Sequence, residues 1–178
     1  RDLSSQQTLA IAHLASGDVA GARAALKAGV QRGIPAPRMA AHMAAYQEVG
    51  FVLEEADQEL VLRLTPSAFD DDRSWWAQSL ATLHWQRGDT TLARAFADSA
   101  LAPTRELLAR APEDLQQHGL LALMLAYLGR GAEARAEIER ALPTDDFNSR
   151  AYNRVNAAKA ELALGNREAA TAHIAVFL

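Results

Sequence analysis

No stretch of the chain alternates β-branched and polar residues for long enough to make a strand, and alanine fills 39 of the 178 positions. That pattern favours helix over sheet. Short polar segments interrupt the apolar runs at long intervals. They read "LASGDVAGA", "YQEVGFVLEEA", "WQRGDTTLA", "YLGRGAEA" and "LALGNREAA", and they place glycines at 17, 50, 88, 129 and 165. Spacings of 33 to 41 residues suit a unit of two helices joined by a short turn. The pattern predicts an all-α chain of ten helices paired into five hairpins, with turns near residues 16, 50, 88, 130 and 165.

Aligning the chain on Gly17, Gly88, Gly129 and Gly165 tests the repeat column by column. Five residues after each glycine stand Ala22, Ala93, Ala134 and Ala170; seven before stand Ala10, Ala81, Ala122 and Ala158. Eight before come Leu9, Leu80, Leu121 and Ala157, and nine after come Leu26, Ala97, Ile138 and Ile174. Small residues let two helices approach closely while larger ones fill the space beside the contact. The second unit fits less well, because Ala56 follows Gly50 by six residues and Met43 holds the small column. Its turn is expected to differ by about one residue. In "TLARAFADSALAPTRELLARAP" the proline, Pro103, removes a backbone donor and crowds the carbonyl of Ser99. A bend or break is expected there, with helix resuming at once and running to about Arg110 before Pro112 opens the next hairpin.

These columns resemble the tetratricopeptide repeat, whose two antiparallel helices carry a leucine and a small residue, an aromatic, a turn glycine, then alanine, aromatic and alanine. The resemblance covers nearly the whole chain. It implies a single right-handed superhelical array of about five hairpins, at residues 3–32, 36–65, 72–110, 112–143 and 147–178. Two stretches, "LTPSAFDDDRSWWAQSLATLHWQRGDTTLARAFADSA" and "LLALMLAYLGRGAEARAEIERALP", are similar to repeat regions attached to large bacterial eukaryotic-type serine/threonine kinases. The repeat's early tryptophan is replaced by Gln6, Ala77, His118 and Arg154. The chain is read as a piece of a longer multidomain protein. A kinase's ATP-binding glycine loop, lysine and HRD motif would lie upstream, and none occurs within these residues.

Composition narrows the function classes. A net charge of -4 and a pI near 5.7 disfavour a phosphate-binding face, so nucleic acid is not an expected partner. Cysteine is absent, which removes disulfides and thiolate metal sites. No run of eighteen apolar residues occurs, so no membrane contact by this fragment is expected. Localisation is expected to be cytoplasmic, with the extracytoplasmic part of a membrane-anchored protein as the alternative.

The densest chemistry stands in "FDDDRSWWAQSLATLHWQRGD", residues 69 to 89. Asp70, Asp71 and Asp72 precede a predicted helix, where carboxylates cap free N–H groups and meet the positive end of the dipole. His84 lies three helical turns on, about 18 Å by helix rise, too far to share a metal with them. The five histidines form no HxxxH or HExxH pair. His13 and His84 share the column four before the glycine, where the repeat usually holds an aromatic, and are read as packed substitutes for it. "GRGAEA" follows a helix-like run and not a strand, which defeats a dinucleotide reading. With no nucleophile elbow, P-loop or acid–base pair, no catalytic residue, cofactor or metal is expected, and the fragment is not read as an enzyme.

In tetratricopeptide arrays the first helix of each hairpin lines a concave face. The resemblance therefore implies a partner-binding groove lined by Trp75, Gln78, Thr82 and Trp85, then Gln116, Leu123 and Tyr127, then Tyr152, Val155 and Lys159. The lysine and asparagine clamp for acidic tails is unmatched, since Gln7 and Ile11 hold those first-unit positions. The expected function is a non-catalytic protein–protein interaction scaffold that holds a peptide or partner domain within a bacterial signalling protein. Self-association as a homodimer, or intramolecular regulation of a kinase or adenylate cyclase, is the alternative.

Overall fold

The computed structural model of the chain describes residues 3–46, 49–144 and 146–176. Among the described residues there are ten α-helices and no strand. They are α1 (Leu3–Ala15), α2 (Val19–Gln31), α3 (Ala36–Ala45), α4 (Glu55–Leu62), α5 (Arg73–Gln86), α6 (Thr90–Arg110), α7 (Leu115–Tyr127), α8 (Gly131–Ala141), α9 (Phe147–Ala163) and α10 (Arg167–Ala175). Short 3-10 turns span Gly50–Val52 and Pro66–Phe69. The chain divides into two compact units, Arg1–Ser79 and Leu80–Leu178, and the division falls inside α5. In the first, α1 packs on α2 and α3 on α4; in the second, α7 packs against α6, α8 and α9, and α9 against α10.

Four of the helix-to-helix turns are built alike. Gly17, Gly88, Gly129 and Gly165 all take the left-handed conformation, with φ of 76°, 79°, 76° and 81°. At each, the glycine N–H and the next N–H turn back onto the last carbonyls of the first helix. At the first turn these bonds run from Gly17 to Leu14 at 2.9 Å and from Asp18 to His13 at 2.9 Å. At the last they run from Gly165 to Leu162 at 3.0 Å and from Asn166 to Glu161 at 2.8 Å. Two bonds of this kind satisfy carbonyls that a helix end leaves open, and only glycine enters the left-handed region without strain. At three of the four turns the residue after the glycine then caps the second helix with its side chain, Arg130 after Gly129 being the exception. Asp18 accepts from the Gly21 N–H at 2.7 Å, Asp89 from Leu92 at 3.0 Å and Asn166 from Ala169 at 3.2 Å. At those three turns one glycine and one capping side chain thus end one helix and begin the next. The columns around the turn are buried: Ala10, Ala81 and Ala122 before it, Ala22, Ala93 and Ala134 after it.

The α3–α4 pair follows another plan. Gly50 lies in a 3-10 turn and not in the left-handed region, and the connection runs over residues 46–54. Nine residues stand where the other hairpins use three, so the difference exceeds the single residue expected; Gln47 and Glu48 lie outside the described residues. The reason is apolar: Val49, Val52 and Leu53 are buried and draw the loop into the core, where Arg23 Nε donates to the Val52 carbonyl at 3.1 Å.

Pro103 does not break its helix. α6 is one helix of 21 residues with Pro103 inside it, and it ends at Arg110 as expected. Only one backbone donor is lost, and Leu101, Thr104 and Leu108 are buried on either side of the proline. Packing on both flanks outweighs the local cost.

Candidate partner-binding site

The acidic entrance to α5 is structural, though only one of its three carboxylates is the cap. Asp72 Oδ1 accepts from the Trp75 N–H at 2.9 Å. Asp70 and Asp71 instead occupy the left-handed region, at φ 53° and 62°, and make the reversal between the 3-10 turn and α5. Aspartate tolerates that region better than most residues. His84 stacks on Phe96 with ring centroids 5.5 Å apart and planes 6° from parallel, as an aromatic in its column would. His13 instead turns to the next cap, its Nδ1 3.0 Å from Asp18 Oδ2.

The ten residues expected to line a groove have different fates. Gln78, Thr82, Leu123 and Tyr127 are buried; Trp75, Trp85, Tyr152, Val155 and Lys159 are half-buried; Gln116 is exposed. Gln78 Nε2 donates to Ser74 Oγ at 2.9 Å, inside α5. Trp85 stacks on Tyr127 at 4.6 Å, and burial pushes the Tyr127 phenol well above its ordinary pKa. Trp75 meets Tyr46 edge-on at 6.0 Å, while the neighbouring Trp76 donates from Nε1 to the Leu64 carbonyl at 2.9 Å. The tryptophans therefore fill gaps with one side and keep the other partly open. The cause is legible in α7, where every residue from His118 to Tyr127 is buried. A helix apolar all round belongs in a core and presents no groove face. Val155 and Lys159 do come together, in an open groove of about 520 Å³ between α9 and α10, beside Ala158, Leu162 and Ile174.

One further column of the repeat carries a contact between hairpins. Six residues after the turn glycine stand Arg23, Arg94 and Arg135. Each reaches from the second helix of its hairpin to the hairpin that follows: Arg23 to the Val52 carbonyl, Arg94 to the Tyr127 carbonyl at 3.3 Å, and Arg135 to both oxygens of Glu161 at 2.9 and 3.1 Å. The fourth member of the column is Thr171. Three arginines in four positions was the available signal. Beside this strap lies a polar seam in the second unit. His118 places Nδ1 2.6 Å from Glu137 and Nε2 2.9 Å from the Pro112 carbonyl. Asn153 donates to the Ala141 carbonyl at 2.7 Å, and the buried Asn156 amide has no hydrogen-bond partner.

The first unit holds a separate cavity of about 280 Å³ among α2, α3 and α4, with Leu26, Met39 and Val52 in its lining. Its rim charges answer one another, Lys27 Nζ lying 3.0 Å from Glu54. No described helix is long and apolar enough to cross a membrane. Comparisons with protein families, with curated proteins and with solved structures give no match.

Proposed function

We propose that this chain is a non-catalytic protein–protein interaction scaffold of tetratricopeptide type, a right-handed superhelical array of hairpins serving a multidomain bacterial signalling protein. The observation that carries this reading is the fourfold use of one three-residue glycine turn between helices whose alanine columns are buried. An array of that kind presents side chains in register and leaves their partners to the surface. In the second unit the partly open members of the expected groove, Tyr152, Val155 and Lys159, offer an aromatic and cationic surface to an extended peptide. Selecting peptides from a random display library against the whole chain tests this. Selected peptides should bind in calorimetry and lose at least about tenfold in affinity on Tyr152→Ala or Lys159→Ala. Failure to enrich any peptide, or binding indifferent to both changes, defeats peptide capture at this surface.

Exposure of Leu162 and Ile174 on the last hairpin favours a second reading, self-association or docking on an attached kinase or cyclase domain.

A further inference from the structure

Arg23 and Lys27 stand four residues apart in α2, and Glu54 and Asp57 stand three apart at the start of α4, spacings that set each pair on one side of its helix. Both helices pack on α3 and, among the described residues, not on each other. The space between them is the cavity of about 280 Å³, and all four charged residues line it. The rest of its wall is mostly apolar: Leu26 and Val30 come from α2, Met39 and Ala40 from α3, Val52 and Leu53 from the long connection.

Lys27 and Glu54 satisfy each other at 3.0 Å. Arg23 and Asp57, both half-buried, do not pair. Arg23 Nε donates to the Val52 carbonyl, but its two terminal nitrogens meet no partner among the described residues, and neither does the Asp57 carboxylate. Arg135, in the same repeat column as Arg23, shows what such a guanidinium takes when it is offered: both oxygens of one carboxylate, that of Glu161. A half-buried charge without a partner is costly, and a ligand that supplies the partner recovers that cost. One open cation and one open carboxylate on the wall of an apolar cavity therefore complement a ligand that carries both charges beside an apolar body.

We propose that this cavity binds a free α-amino acid with a large apolar side chain. The ligand carboxylate meets the terminal nitrogens of Arg23, its ammonium meets Asp57, and its side chain lies among Leu26, Met39 and Val52. The two charged contacts fix its orientation, and apolar contact supplies the rest of the affinity. The volume suits such a ligand: an apolar cavity of about 150 Å³ takes benzene, so about 280 Å³ holds a ring or a branched chain together with its head group. A residue inside a peptide carries neither charge and a terminal residue carries only one, which separates this ligand from the extended peptide proposed for the second unit.

Calorimetry of the whole chain with L-phenylalanine and L-leucine, at up to about 10 mM, covers the affinities open to so small a ligand. At least one of them should bind, at one site per chain. L-alanine, which lacks the apolar body, should bind at least about tenfold more weakly, and so should the N-acetyl and amide forms of the better probe, each of which lacks one charge. Asp57 makes no bond within the described chain, so Asp57→Asn removes the charge and leaves the fold alone. That variant should bind the free amino acid at least about tenfold more weakly and should no longer distinguish it from the N-acetyl form. Absence of binding by both probes, equal binding of L-alanine or of either blocked form, or a preference for the free amino acid that survives Asp57→Asn overturns the proposal. Peptide capture by Tyr152 and Lys159 stands or falls separately, on the display selection.

Discussion

The α7–α8 and α3–α4 hairpins occupy equivalent places in the alignment, yet they are held by different means. In α7–α8 the turn is three residues long, closed by a left-handed glycine, and the helices meet across Ala122 and Ala134. In α3–α4 the glycine is not left-handed, the helices are only 10 and 8 residues long, and Met43, Val49, Val52 and Leu53 supply the buried contacts. Ala56, the nominal partner of the small column there, is exposed. One hairpin is specified by close backbone approach at small residues, the other by a loop that carries its own core. A repeat column therefore has physical meaning only where the turn sets both helices in register.

The largest test of that contrast is to enlarge the small column. Ala122→Leu forces a branched side chain into a fully buried helix crossing and should destabilise by about 1 to 3 kcal/mol. Ala56→Leu, on an exposed site, should stay within about 0.5 kcal/mol. Denaturant midpoints of the two variants against the wild type measure the difference. Equal losses would show that the second hairpin uses the column after all.

Turn glycines offer the next test. Gly129 has φ 76°, and a side chain there would meet nothing within 4 Å, so Gly129→Ala costs only backbone strain, about 1 to 2 kcal/mol. At Gly50 a side chain would stand 3.5 Å from the Met43 carbonyl, ordinary contact, with no strained backbone to maintain. Gly50→Ala should be neutral or stabilise by up to about 1 kcal/mol through the unfolded chain. Thermal or urea unfolding of both variants separates the cases, and a comparable loss at Gly50 would contradict the assigned turn.

The same contrast marks what could be read from the residues. Helix content, the four regular turns and the alanine columns were legible because each depends on a short local signal, a glycine and a small residue at fixed spacing. The α3–α4 loop was not, since its length follows from where Val49, Val52 and Leu53 find a core, and no local spacing records that. The expected groove was half legible. Trp85 and Tyr127 do stand together, but α7 is buried on every face from His118 to Tyr127, and "HGLLALMLAY" already carried that information against an open surface at Leu123 and Tyr127. Pro103 shows the opposite limit: α6 continues as one helix through the proline, with buried residues on both sides of it.

The smallest expected effect concerns the column four before the glycine, where the second hairpin has Tyr46 and the third has His84. Burial holds His84 below the ordinary imidazole pKa of 6.5, against the opposing pull of Asp89 and with the help of Arg87. The unfolded chain consequently takes up its proton at higher pH than the folded chain does. Stability from keeping His84 neutral is therefore present above about pH 6.5 and is lost as the pH falls through the lowered native value. His173, also held low by burial, acts in the same direction. His84→Tyr gives the third hairpin the residue of the second, preserves an aromatic against Phe96, and removes one of the two equilibria. Urea midpoints should fall from pH 7.5 to pH 5 in the wild type and fall less in the variant. An identical decline in both would mean that His84 binds its proton as readily in the folded chain as in the unfolded one, and that its stacked, half-buried place in the third hairpin imposes no electrostatic cost.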